Sequence, residues 1–108
     1  MLEFITNNMP LMRFAKLYSL LDTSVSAGFT TPEIDVSKVR FIQITVKSNV
    51  ANTFYLQFPL GTTYYNADSI SVSAGGIDNF YLWAIAVEKI KVRVSNAATI
   101  SIEVRGKV

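Results

Sequence analysis

The sequence predicts an all-β domain: an antiparallel β-sandwich or jelly-roll-like barrel built from two sequence-related halves, with an N-terminal arm. Three observations predict it. A segment returns 47 positions after its first appearance, several stretches alternate apolar and polar residues, and Ser, Asn, Ala and Gly punctuate them. Tyr18, Ser24, Val25, Ser26, Ala27 and Gly28 recur as Tyr65, Ser71, Val72, Ser73, Ala74 and Gly75. At the same shift Ser48, Asn49 and Ala51 recur as Ser95, Asn96 and Ala98. The duplicated unit covers about residues 18–58 and 65–105, and two copies supply at least six strands.

Residues 1–16 lie outside the repeat. Leu11, Phe14, Ala15, Tyr18 and Leu21 would share one face of a helix entered through Asn8 and Pro10. Tyr18 has a repeat mate in Tyr65, however, so strand is expected from about Leu17, leaving 1–16 as an arm or edge strand and 17–108 as the sandwich. Gly28 and Gly75-Gly76 provide turns after each Val-Ser-Ala, and Pro32 and Pro59 interrupt the neighbouring strands.

Ile42, Ile44 and Val46 alternate with Gln43, Thr45 and Lys47, a turn follows at Asn49-Val50-Ala51, and Phe54, Leu56 and Phe58 return apolar on one side. Val39 and Phe41 are out of phase with Ile42, which suggests a β-bulge near Phe41-Ile42 or a strand end buried on both faces. The second copy repeats the pattern. Ile90, Val92 and Val94 face in, Lys89, Lys91 and Arg93 face out, and Ile100, Ile102 and Val104 resume after Ser95-Asn96-Ala97. Read as hairpins, these pairs place Lys89 opposite Glu103, a contact worth about 0.2–1 kcal/mol. The run Phe80 to Val87, apolar on both faces, reads as a buried strand or an interface.

At 108 residues the chain makes one domain that buries roughly two-thirds of its unfolded surface. Half the residues are apolar and the net charge is only +2, so neither a nucleic-acid partner nor a membrane surface is expected. The start Met1 to Asn8 lacks the basic and apolar regions of a signal peptide, and Phe80–Val87 is too short to span a membrane. The absence of cysteine excludes disulfides and thiolate metal sites. The absence of histidine removes the commonest general base and metal ligand.

Glu33, Asp35, Asp22, Asp68 and Asp78 remain, and they read as solvated or turn-capping carboxylates rather than a glycosidase pair or calcium loop. No catalytic residue, cofactor or metal is therefore expected. Lys89, Lys91, Arg93 and Arg105 form a basic stripe without stacking residues, which reads as a solvated face. The aromatics are more informative. Tyr55, Tyr64, Tyr65, Phe80, Tyr81 and Trp83 are the candidate interface residues, suited to protein or carbohydrate contacts if they share one exposed surface, and otherwise core.

This Met-initiated, Cys-free and His-free chain of short alternating strands with Ser, Thr, Ala and Asn turns resembles small β-sandwich structural proteins of virus and phage particles. The resemblance implies a non-enzymatic virion or assembly subunit: a decoration, coat, turret or fibre-associated protein. Its partners would be copies of itself and capsid or other assembly proteins. It also implies location in a virion, with cytoplasmic or extracellular settings as alternatives. Surplus apolar surface and an arm such as Leu2 to Met12, able to add a strand to a neighbour, agree with association. The alternative is a carbohydrate-binding module using exposed aromatics.

Overall fold

A computed structural model describes residues 14–83 and 86–108. Its eight strands are β1 (Phe14–Val25), β2 (Ile34–Asp35), β3 (Phe41–Ser48), β4 (Asn52–Leu60), β5 (Thr63–Val72), β6 (Ile77–Trp83), β7 (Lys89–Val94) and β8 (Ala98–Lys107). They form two four-stranded sheets in the orders β1-β8-β3-β6 and β2-β7-β4-β5. Every pairing is antiparallel. This double Greek key is a jelly-roll sandwich, as the sequence predicts. No helix occurs among the described residues. Strand extends from Phe14, so Phe14–Lys16 belong to β1 and only the earlier part of the expected arm lies outside the described residues.

The sequence repeat relates one sheet to the other. A shift of 47 residues carries β1–β4 onto β5–β8, and it turns the order β1-β8-β3-β6 into β5-β4-β7-β2, the second sheet read from its far edge. Each sheet thus takes strands from both copies. Gly28 and Gly75, equivalent in the repeat, both hold positive φ, 80° and 75°, a region where a side chain would be strained.

The one-sided alternation builds the core. Ile42, Ile44 and Val46 of β3 and Ile102 and Val104 of β8 face Phe54 and Leu56 of β4 and Ile90, Val92 and Val94 of β7. The faces match expectation; the partners do not. β3 and β4, like β7 and β8, lie in different sheets, so their short connections are arches across the sandwich rather than hairpins. Both geometries put the same residues inside, and alternation alone does not tell them apart. Lys89 consequently pairs with Asp35, while Glu103 pairs with Ser19 and Thr45.

The expected bulge at Phe41 is also absent, since β3 keeps uninterrupted register with both neighbours from Phe41 onward. Val39 precedes the strand, and its side chain packs over Gly106, where a Cβ would lie 2.6 Å from Val39 Cγ1. That accounts for the phase slip. Real register shifts occur instead in β1, between Lys16 and Tyr18 and between Leu20 and Thr23, and in the β4–β5 pair between Leu56 and Gln57. In β1, Asp22 adopts φ 48°, its N–H donating to Ser101 Oγ at 2.9 Å. Asp22 thus serves a strand bulge, not the turn cap expected of it.

The two arches lock each other. Asn52, only 3% exposed, donates through Nδ2 to the Asn96 carbonyl at 3.0 Å and to Ser48 Oγ at 3.3 Å. Its Oδ1 accepts the N–H groups of Asn96 and Thr53, both at 2.9 Å. Reciprocally, the Asn49 Oδ1 accepts the Thr99 N–H at 2.9 Å, and the Asn49 N–H donates to the Thr99 carbonyl at 3.1 Å. Replacing Asn52 by Ala strands buried polar groups and should lower stability by about 2 kcal/mol. Asn49→Ala, at an exposed position, should cost less; urea unfolding of the two variants checks the ranking.

Candidate functional site

Strand register lays out the outer face of the first sheet row by row. One row crosses all four strands as Phe14, Lys107, Phe41 and Trp83. The next reads Lys16, Arg105, Gln43 and Tyr81, and the third Ser19, Glu103, Thr45 and Asn79. Paired residues of an antiparallel sheet point to the same side, so the first two rows gather aromatic and cationic side chains at one end of the face.

Trp83 is 74% exposed and Tyr81 56%. The Phe41 ring lies 4.1 Å from that of Trp83, tilted by 38°, and 6.2 Å from Tyr81, nearly parallel at 16°. An open groove of about 450 Å³ beside them is lined by Arg40, Phe41, Trp83, Lys107 and Val108. Further along, Asn79 Oδ1 accepts from Thr45 Oγ1 at 2.6 Å and Gln43 Nε2 at 3.3 Å. Glu103 is paired with Arg105 and lies 3.5 Å from Lys16 Nζ. Partial burial of its carboxyl, which by itself raises the pKa, is outweighed by those two charges, and the net shift is downward.

The six sequence-predicted interface residues do not all share this surface. Tyr81 and Trp83 do. Phe80 points the other way and is core, 3% exposed, because β6 alternates and only its odd positions face out. Tyr55 and Tyr64 lie on the outer side of the second sheet, in register with Arg93 and Pro59. Tyr65 sits on the edge strand β5, packed edge-on against Phe58 at 6.3 Å. The expected basic stripe also divides, with Lys89, Lys91 and Arg93 on β7 and Arg105 on β8 in the opposite sheet.

Sequence reading missed Phe41, Arg40 and Lys107. A signal was present for Phe41: an aromatic residue in the phase of Gln43, Thr45 and Lys47 marks an outward ring.

On the second sheet Tyr64 is tied down. Its hydroxyl donates to Glu33 Oε2 at 2.7 Å, Lys91 Nζ lies 4.3 Å from its ring centroid, and Lys89 lies 3.4 Å from Glu33 Oε1. The Tyr64 hydrogen bond, followed by the Lys89 charge, holds the Glu33 carboxyl below its ordinary value. The same bond pushes the Tyr64 hydroxyl up to about 12. Asp35 is likewise lowered, first by the Ser37 hydroxyl at 2.7 Å and then by the Ser37 N–H at 2.9 Å. These carboxylates are engaged locally rather than facing each other across a cleft. Among the described residues no group of three or more Asp, Glu, His or Cys is placed to hold a metal, and no helix is long and apolar enough to cross a membrane.

No protein-family model matches the chain, and no curated protein matches it. Among solved structures it is similar to a chain of the Bacillus endospore appendages that form a novel family of disulfide-linked pili. That match has 14% identity and a TM-score of 0.57 and covers 99% of this chain and 97% of that one. A second similarity, to PirA, has 14% identity and a TM-score of 0.46 over 96% of this chain and 99% of that one, too slight to carry an argument. At such identity the first likeness is one of fold.

The Glu33–Tyr64 bond gives a direct prediction. Tyr64→Phe removes the donor, so the Glu33 pKa should move upward toward the ordinary glutamate value in a carboxyl NMR titration. Because Glu33 is depressed in the folded state, its contribution to stability is present above the unfolded pKa and is lost as pH falls through the folded one. Tyr64→Phe should therefore flatten the acid side of the stability profile.

Proposed function

We propose that the chain is a non-enzymatic structural subunit that assembles with copies of itself through strand pairing at the β6 edge. The observation that carries this reading is the state of the four sheet edges. β2 has only two residues, β1 is twisted by two register shifts, and β5 by one. Bulges and short strands of this kind blunt an edge. β6 alone pairs without interruption over its length, from Ile77–Lys47 to Trp83–Phe41, and among the described residues nothing pairs with its other side. Asp78, on the inward phase shared with Phe80, guards the Ile77 end, whereas Asn79 to Trp83 carries no charge. A regular, largely apolar, unpaired edge is a template for another strand.

The fold likeness to a pilus-forming chain supports assembly in general. The linkage must differ, because a sequence without cysteine forms no disulfide. The virion expected from the sequence and a surface filament both use such a subunit, and the fold neighbour favours the filament.

Light scattering at micromolar concentration should show a species larger than the monomer, growing with concentration. Leu82→Lys places a charge at the edge on its inward phase and should reduce association by roughly tenfold while circular dichroism stays β-rich. A strictly monomeric parent, or unchanged assembly in a folded Leu82→Lys variant, would refute the reading.

A further inference from the structure

We infer that the outer face of the first sheet, at its Phe41–Trp83 end, is a binding site for an acidic polysaccharide, a chain of sugar rings with carboxylates on some of them. This goes beyond the assembly reading and does not depend on it. Strand pairing at β6 runs in the plane of the sheet and leaves outward side chains open.

The rings come first. Trp83 stands 74% exposed against Phe41, with Tyr81 beside them, on a face whose other outward side chains are polar or charged apart from Phe14 and Ile77. A lone exposed apolar residue needs no explanation, but a contiguous aromatic patch does. Ring faces offer flat, weakly hydrated surface to the C–H faces of sugars, with little rotamer freedom to lose. The row Phe14, Lys107, Phe41, Trp83 crosses four strands and so measures about 14 Å, the length of a short oligosaccharide rather than one sugar. Amide and hydroxyl groups of Gln43, Thr45 and Asn79 lie in the following rows, within reach of sugar hydroxyls.

Charge then selects the class. Arg40 lines the groove next to the rings, so a ligand carboxylate there has a guanidinium to pair with. Two rows further on, the face carries Glu103, whose own carboxylate engages Lys16 and Arg105. A polymer with a phosphate on every unit, such as single-stranded nucleic acid, would bring charge against Glu103 as it crossed the face. A glycan with spaced carboxylates sets its charge at Arg40 and lays neutral ring faces on the aromatics.

Trp83 is the sole tryptophan and reports directly on its own site. Hyaluronan oligosaccharides, with a carboxylate on alternate sugars, should change its emission saturably at low salt. Cello-oligosaccharides of equal length should bind at least about tenfold more weakly. By calorimetry, Trp83→Ala and Arg40→Gln should each weaken hyaluronan binding roughly tenfold, and Trp83→Phe, which keeps a ring, should weaken it less. Silence with hyaluronan, equal binding of the neutral sugar, or tighter binding of oligothymidylate would overturn the assignment. So would an emission change produced by protein concentration alone, which would give the rings to self-contact; loss of assembly in Leu82→Lys without loss of hyaluronan binding keeps the two readings distinct.

Discussion

Four strands with one apolar face each have to meet across a single core, and the arrangement of the molecule follows from how they do so. The connections at 49–51 and 95–97 are too short to wander, so each carries the chain straight from one sheet to the other. At that crossing the backbone leaves its ladders and would strand buried polar groups. Asn52 resolves the problem by satisfying the N–H and C=O groups of Asn96 in the opposite arch, and Asn49 accepts the Thr99 N–H at the start of β8, which ties the two copies of the repeat to each other. β8 lies between β1 and β3, and β6 completes the sheet beside β3. That adjacency brings Phe41 against Trp83 and Tyr81, residues about forty positions away in the chain.

Much of this was legible in the residues. The period-two phases of β3, β4, β7 and β8 were, because a side chain on a pleated strand has only two directions to take. So were the equivalent glycines at 28 and 75, which occupy the same left-handed turn. The pairing partners were not legible: Ile90 to Val94 and Ile100 to Val104 look the same whether the strands lie side by side or face to face. The candidate surface was half visible. Tyr81 and Trp83 were recognisable as aromatics of one strand, but an apolar run such as Phe80–Trp83 conceals which phase is core until a neighbour's register decides it. Phe41 was partly legible: its phase slip admits a bulge or a strand end buried on both faces, and only the unbroken register removes the bulge.

The β6 edge and the outer face, as proposed, are separable surfaces. Edge pairing uses backbone groups and tolerates many side chains, whereas the groove beside Trp83 depends on the identity and placement of a few. A duplicated jelly roll with equivalent halves need not have equivalent surfaces. β1 and β5, its outermost strands in the repeat, are both bulged, while β2 and β6 have diverged into a two-residue fragment and a full strand. The asymmetry between β2 and β6 leaves one regular edge unpaired among the described residues and confines the aromatic row to one sheet.

Cross-strand nuclear Overhauser effects test the crossing itself most directly. Backbone contacts of Val104 with Ile44 and of Trp83 with Phe41, together with none between the Lys89–Val94 and Ala98–Arg105 backbones, are what the arched sandwich requires. A continuous ladder of contacts joining those last two segments would mean a hairpin, and with it a different sheet order and no shared aromatic face.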